Sequence, residues 1–289
     1  MVRLFLSASG SDTLNVMGDE AWSRSLLPFP VRAEYPPFAI VSDTHIGARN
    51  SVYPHFLEVM DQLKIETIIH TGDVINKPGS SRQWKKFFEA TGPKRKVHIA
   101  PGNHDIRFRT SREVYHRLFP KQYYSFSVGD TLFVMLNTTL PRQRSRVTGA
   151  QLAWLRMELA RPFRFKLVFL HEPLFPALPL QGLNVFKRSR DALHRLFVES
   201  GVNLVVAGHN HIYRRSTRNG VTYVVTANTG GKLFPVGLVS KKTSSFRYIA
   251  VTRLDGHYHL ETRDLQGRVT DRFTVSPRRV LSTVMRRGY

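Results

Sequence analysis

Phe38-Ala39-Ile40-Val41-Ser42-Asp43-Thr44-His45 is a short apolar run that stops on an aspartate and a histidine two positions apart. Four further runs repeat the arrangement. Thr67-Ile68-Ile69-His70 leads into Thr71-Gly72-Asp73, and Val97-His98-Ile99-Ala100 into Pro101-Gly102-Asn103-His104-Asp105. Leu167-Val168-Phe169-Leu170 delivers His171, and Leu204-Val205-Val206-Ala207 delivers Gly208-His209-Asn210-His211. Short runs rich in β-branched residues and bounded by turn residues read as strands buried on both faces. Their polar ends then collect along the carboxyl edge, where open α/β sheets place their ligands.

Between these runs the period is helical. Phe56, Val59, Met60 and Leu63 mark one helix, Trp84, Phe87 and Phe88 a second, and Val114, Tyr115, Leu118 and Phe119 a third. Thr148 with Gln151 is a capping-box signal for a helix carrying Leu152, Leu155 and Leu159, and Ser189 opens another with Leu193, Leu196 and Phe197. Two stretches alternate instead: Tyr124 to Leu136 around Gly129-Asp130, which reads as a hairpin, and a meander from Thr222 to Thr274 with turns at Gly230-Gly231, Asp255-Gly256 and Gln266-Gly267. These antiparallel pieces are expected to build a second sheet packed on a largely parallel first one. The expected architecture is α/β, a four-layer α/β/β/α sandwich of two mixed sheets.

A chain of 289 residues, 42% of them hydrophobic and with no linker or repeat, predicts one large core. We place the domain at residues 36–273, behind a leader over 1–35 that would serve as an edge strand or lid and ahead of a basic tail over 274–289. The absence of cysteine excludes disulfides, thiolate zinc sites and thiol nucleophiles. The leader carries no stretch apolar enough for a signal peptide or membrane span, so a cytoplasmic location is expected.

The net charge of +22 points to an anionic partner. Because the cations are spread from Lys85-Lys86 to Arg286-Arg287, a phosphate-bearing substrate or an anionic membrane surface is favoured over nucleic acid. Peripheral placement on the inner face of a membrane would follow. The segment from Leu174 to Phe186 is unusually apolar for a loop that follows His171. It reads either as a loop packed on its own domain or as a lip that admits an acyl chain or touches lipid, with Lys187, Arg188 and Arg190 meeting headgroups.

Two neighbouring divalent cations need several oxygen and imidazole donors, one carboxylate shared between them. In order, the Asp-x-His, Gly-Asp, Gly-Asn-His-Asp, His and Gly-His-x-His motifs resemble the calcineurin-like metallophosphoesterase family over roughly Pro36 to Ile212. The resemblance implies that Asp43, His45 and His211 bind one ion, that Asn103, His171 and His209 bind the second, and that Asp73 bridges them. It implies two divalent ions drawn from manganese, iron, zinc or cobalt, and a catalytic His104 that protonates the leaving group. Asp105 would orient His104 or support a ligand, and Arg107 or Arg109 would stabilise charge on the phosphoryl oxygens. Gly72, Gly102 and Gly208 suit places where backbones must approach closely. Many relatives carry Asp where this chain has Asn137, a change that removes no ligand.

The expected activity is hydrolysis of a phosphodiester, pyrophosphate or phosphomonoester. A small nucleotide-type diester or a lipid-linked pyrophosphate of the UDP-diacylglucosamine type is favoured. The alternatives are a basic nuclease that binds nucleic acid and a catalytically silent binding protein. Neither a G-x-S-x-G elbow nor a G-x-x-x-x-G-K-[ST] loop occurs, which removes serine hydrolases and P-loop NTPases.

Overall fold

Strands β1 (Tyr35–Val41), β2 (Thr67–His70) and β3 (Lys96–Ile99) run parallel, and their register aligns Val41 with His70 and His70 with Ile99. Three of the five motifs therefore begin level with one another. This computed structural model describes residues 35–178, 180–226, 229–230 and 246–278. The leader expected as an edge strand or lid, Gly231 of the meander, Lys241-Lys242 and the tail beyond Arg278 lie outside the described residues.

Helices α1 (Tyr53–Gln62) and α2 (Ser81–Thr91) connect these strands, and α3 (Asn103–Ile106) and α4 (Arg109–Leu118) follow β3. The hairpin β4 (Tyr124–Val128) and β5 (Thr131–Met135) then opens the second sheet. Next come α5 (Gly149–Ala160), β6 (Phe165–Phe169), a 3₁₀ turn (Gly182–Phe186), α6 (Lys187–Glu199), β7 (Leu204–Ala207), β8 (Arg214–Arg218) and β9 (Val221–Val225). The chain closes on β10 (Arg247–Leu254), β11 (His257–Asp264) and β12 (Val269–Val275).

The strand orders are β12-β11-β10-β1-β2-β3 and β4-β5-β6-β7-β9-β8. This confirms two mixed sheets and corrects which strands belong to each. Of the expected meander, β9 lies in the hairpin's sheet, but β10 to β12 do not. Strand β10 pairs antiparallel with β1, Ile40 opposite Ile249, and so completes the first sheet. The motif-bearing strands are in turn divided, β1 to β3 in one sheet and β6 and β7 in the other. The reason lies in β10, whose residues Arg247 to Arg253 are all buried, which makes it a central strand.

Three apolar layers hold the sandwich together. Tyr53, Phe56, Met60, Trp84 and Phe87 pack the outer helices on the first sheet, and Leu155, Leu159, Leu193 and Phe197 pack α5 and α6 on the second. Phe38, Ile40, Phe133, Met135, Phe169 and Ile249 fill the space between sheets. Each such side chain contributes roughly 1.5–3 kcal/mol on burial. Two local expectations fail. Thr148 caps α5 without a side-chain bond, and the Gln151 side chain is engaged at Asn137 instead of at Thr148, accepting from the Asn137 N–H at 2.8 Å and donating to its carbonyl at 2.9 Å. Helix α6 begins at Lys187 rather than at Ser189, since it continues directly from the 3₁₀ turn.

Candidate metal centre

Beyond the strand ends the backbone reverses sharply to turn side chains inward. Asp43, His45, Asp73, His209 and His211 all adopt left-handed φ angles between 42° and 71°. Such residues cost on the order of 1–3 kcal/mol each and persist only where their surroundings over-determine them. Here they are pinned by bonds between loops: Asp43 N–H to the Gly72 carbonyl at 2.9 Å, His45 N–H to that of Asp73 at 3.1 Å, and Gly208 N–H to that of His171 at 3.0 Å. A Cβ on Gly102 would lie 2.2 Å from Asp73 Oδ1, and one on Gly208 would lie 1.9 Å from Ser42 Oγ. Only glycine lets these loops close.

The structure brings all seven expected ligands together. Asp43 Oδ1 lies 3.2 Å from His211 Nε2 and 3.8 Å from His45 Nε2, and the two imidazole nitrogens face each other at 3.3 Å. His171 Nε2 lies 3.2 Å from Asn103 Oδ1 and 3.2 Å from His209 Nδ1. Between the groups stands Asp73, its Oδ2 3.8 Å from His45 Nε2 and 3.4 Å from His171 Nε2. His171 donates from Nδ1 to the Thr71 carbonyl at 2.9 Å, which leaves Nε2 aimed at the cluster.

His104 sits against the cluster with partial exposure, its ring perpendicular to that of His45 at 4.6 Å. It donates from Nδ1 to the Asn76 carbonyl at 2.6 Å, and its N–H bonds Asp73 Oδ1 at 2.7 Å. Asp73, His45 and His104 also form a group whose donor atoms lie within 4.8 Å of one another.

Electrostatics make the pocket a well for positive charge. Burial alone would raise Asp43 and Asp73, but the imidazoles of His211 and His171 hold both carboxylates well below their usual range. Burial pushes His45 and His209 down to about 4, so both present neutral nitrogens. His171 resists its own burial and is pushed up to about 10 by Asp73 and Asp43. Buried His45 Nδ1 has no hydrogen-bond partner among the described residues. A donor set of two carboxylates, one amide oxygen and four imidazoles fits divalent transition ions.

Comparison with known proteins agrees with this geometry. The calcineurin-like phosphoesterase family matches residues 36–213. The chain belongs to that family. A serine/threonine-protein phosphatase CPPED1 from Bos taurus is 30% identical over 171 residues, covering 53% of this chain and 51% of the relative. Purple acid phosphatase 15 from Arabidopsis thaliana is 25% identical over 174 residues, covering 52% of this chain and 32% of that protein. This chain spans about half the length of the CPPED1 relatives. Among solved structures, GAP50, the anchor in the inner membrane complex of Plasmodium, superimposes with a TM-score of 0.67 at 14% identity, covering 84% of this chain and 89% of that one. A dimetal phosphatase from Danio rerio gives 0.57 at 14%, covering 84% and 99%. These two likenesses concern the fold.

Several residues support this calcineurin-like site from outside the donor set. Of the two roles expected for Asp105, the structure bears out support of a ligand, because its carboxylate holds the backbone of Asp73. That carboxylate accepts from the backbone N–H groups of Asp73 (2.9 Å), Val74 (3.0 Å), Ile75 (3.3 Å) and Gly102 (2.9 Å), and so clamps two motif loops together. Burial and the Asp73 carboxylate push it up to about 7, against the pull of those donors. His70 accepts from Gly72 N–H at 3.1 Å and donates to Thr44 Oγ1 at 3.0 Å, whose hydroxyl reaches the Val74 carbonyl at 2.9 Å. Ser42 donates to Asp43 Oδ2 at 2.5 Å. The one available signal was position inside a motif. Of the two arginines, Arg109 pairs with Glu113 at 2.9 Å and Arg107 lies over the Phe108 ring at 5.4 Å. Asn137 shapes a turn, accepting from Thr139 N–H at 2.8 Å.

Proposed function

We propose that this chain hydrolyses phosphoric esters with two divalent cations. Asp43, His45 and His211 would hold one and Asn103, His171 and His209 the other. The observation that carries the reading is the position of Asp73, a single carboxylate within 4 Å of imidazole nitrogens from both donor sets. When bound, such ions polarise phosphoryl oxygens and supply a nucleophile at neutral pH. Manganese, iron, zinc and cobalt all suit these donors.

His104 is assigned to the leaving group. Its Nδ1–H is committed to the Asn76 carbonyl, which fixes the ring and leaves Nε2 as the atom that delivers a proton. That role favours substrates whose alcohol leaves poorly, such as alkyl or ribosyl esters. The names of the relatives, protein phosphatases and purple acid phosphatases, point to monoesters, while nucleotide diesters and lipid-linked pyrophosphates stay within reach of the same chemistry.

Chelated protein reloaded with each metal should hydrolyse at least one member of a panel of alkyl and aryl monoesters, diesters, UDP-linked lipids and single-stranded DNA. Asp73→Asn is expected to lose more than the ~100-fold typical of an outer-shell change, together with metal content by elemental analysis. Protein that retains no divalent ion after loading, or a variant that keeps both metal and rate, overturns the reading.

A further inference from the structure

The loop after His171 divides into an inward and an outward part. Leu174 and Leu183 are buried in the second core layer, and Phe175 packs against that layer. Leu180, Val185 and Phe186 point away from it, 78%, 51% and 39% exposed. Leu180 is also held in the left-handed region, φ 56°. A bulky side chain seldom occupies that conformation, and no packing within the described chain compensates it. Exposed apolar residues standing singly need no explanation, but these three fall within seven residues of one loop.

That surface adjoins the metal centre. Asn210, between His209 and His211, accepts from Ala177 N–H at 2.9 Å and donates to the Gln181 side chain. The outward tip is therefore tethered to the residues that hold the site. It is also joined to the loop before α5, because the Arg146 guanidinium lies 4.4 Å over the Phe186 ring. Residues 139–150 contribute Arg142, Arg144 and Arg146, residues 173–190 contribute Lys187, Arg188 and Arg190, and neither segment contains an Asp or Glu. Arg190 is paired with the neighbouring Asp191 at 2.7 Å, and the other cations that flank the apolar tips in sequence complement a surface that is anionic outside and apolar beneath.

We propose that this lip docks on an anionic lipid surface, inserting Leu180, Val185 and Phe186 while its basic rim meets the headgroups, so that the metal centre opens beside the bilayer. The docking requires no hydrolysis, and its test is independent of turnover. Flotation is measured with vesicles of phosphatidylcholine alone and of phosphatidylcholine containing about one third phosphatidylglycerol, with and without EDTA. The protein is expected to float with the anionic vesicles and not with the zwitterionic ones, in either buffer.

A Leu180→Ser/Phe186→Ser variant should bind at least about tenfold more weakly, and Arg142→Gln/Arg144→Gln about tenfold more weakly with a flatter salt dependence. Both pairs are exposed, and thermal unfolding verifies that they fold. Turnover of a soluble ester by the two variants should match that of the parent. Absence of flotation on anionic vesicles, equal flotation on both vesicle types, or full flotation of the Leu180→Ser/Phe186→Ser protein each overturns the proposal. The last outcome would assign binding to other basic segments.

Discussion

The two ends of the same strands are built on opposite terms. At the carboxyl end, five of the donor residues sit in left-handed backbone, and buried carboxylates and imidazoles face one another at 3.2–3.8 Å. At the amino end, Tyr35, Thr67 and Lys96 start β1 to β3 around a cavity of about 390 Å³ walled by Phe38, Phe126, Phe133 and Tyr258. There Phe126 stacks on Phe133 at 4.8 Å, and His98 lies flat on Phe126 at 3.8 Å. A histidine at one end faces charged groups and at the other an aromatic ring. One end stores strain for chemistry, and the other supplies ordinary packing.

The sharpest way to break this contrast is at His104. His104→Ala should slow hydrolysis of an alkyl phosphate by about 10²–10⁴-fold, slow an activated aryl ester far less, and leave metal content unchanged. Loss of metal in that variant would instead make His104 a ligand, as its place within 4.8 Å of Asp73 and His45 allows.

The converse substitution is Phe133→Ala, in the layer between sheets. It should lower unfolding stability by about 3–5 kcal/mol in denaturant titrations. Turnover per folded molecule should hold, and a selective fall in kcat would show that the two ends are coupled.

The smallest expected effect concerns acid. Burial, aided by Lys96, holds His98 down to about 4, whereas an unfolded histidine titrates near 6.5. Between those values the unfolded chain binds more protons, so the contribution of neutral His98 is complete above about pH 6.5 and is lost as pH falls through about 4. His98→Leu should flatten the Tm-against-pH curve across that window, in metal-loaded and chelated protein alike. A flattening seen only in chelated protein would tie His98 to the metal edge.

Much of the site could be read in advance because strand ends are local. An apolar run that stops at Gly-Asp or Gly-His-x-His announces both a buried strand and the donors after it. The lip was only half legible. Its composition marked it, but which leucines turn inward depends on Asn210 and Pro173, each brought there by the fold. For Asp105 the choice between orienting His104 and supporting a ligand stayed open for a related reason, since its four partners are backbone groups and leave no trace in residue identity. The arginines near His104 offered charge without direction, and Glu113 at i+4 claimed one of them.

The order of residues along the chain was enough to determine which side chains could hold cations, that strands deliver them, and that the layers would be α/β/β/α. Tertiary structure alone decided that β10 to β12 extend the first sheet. It likewise decided that Asp105 clamps the motif loops. The physical reason is range. Periodicity and turn chemistry act over a few residues, whereas sheet edges, bridging positions and buried acceptors are selected by contacts between segments tens to hundreds of positions apart.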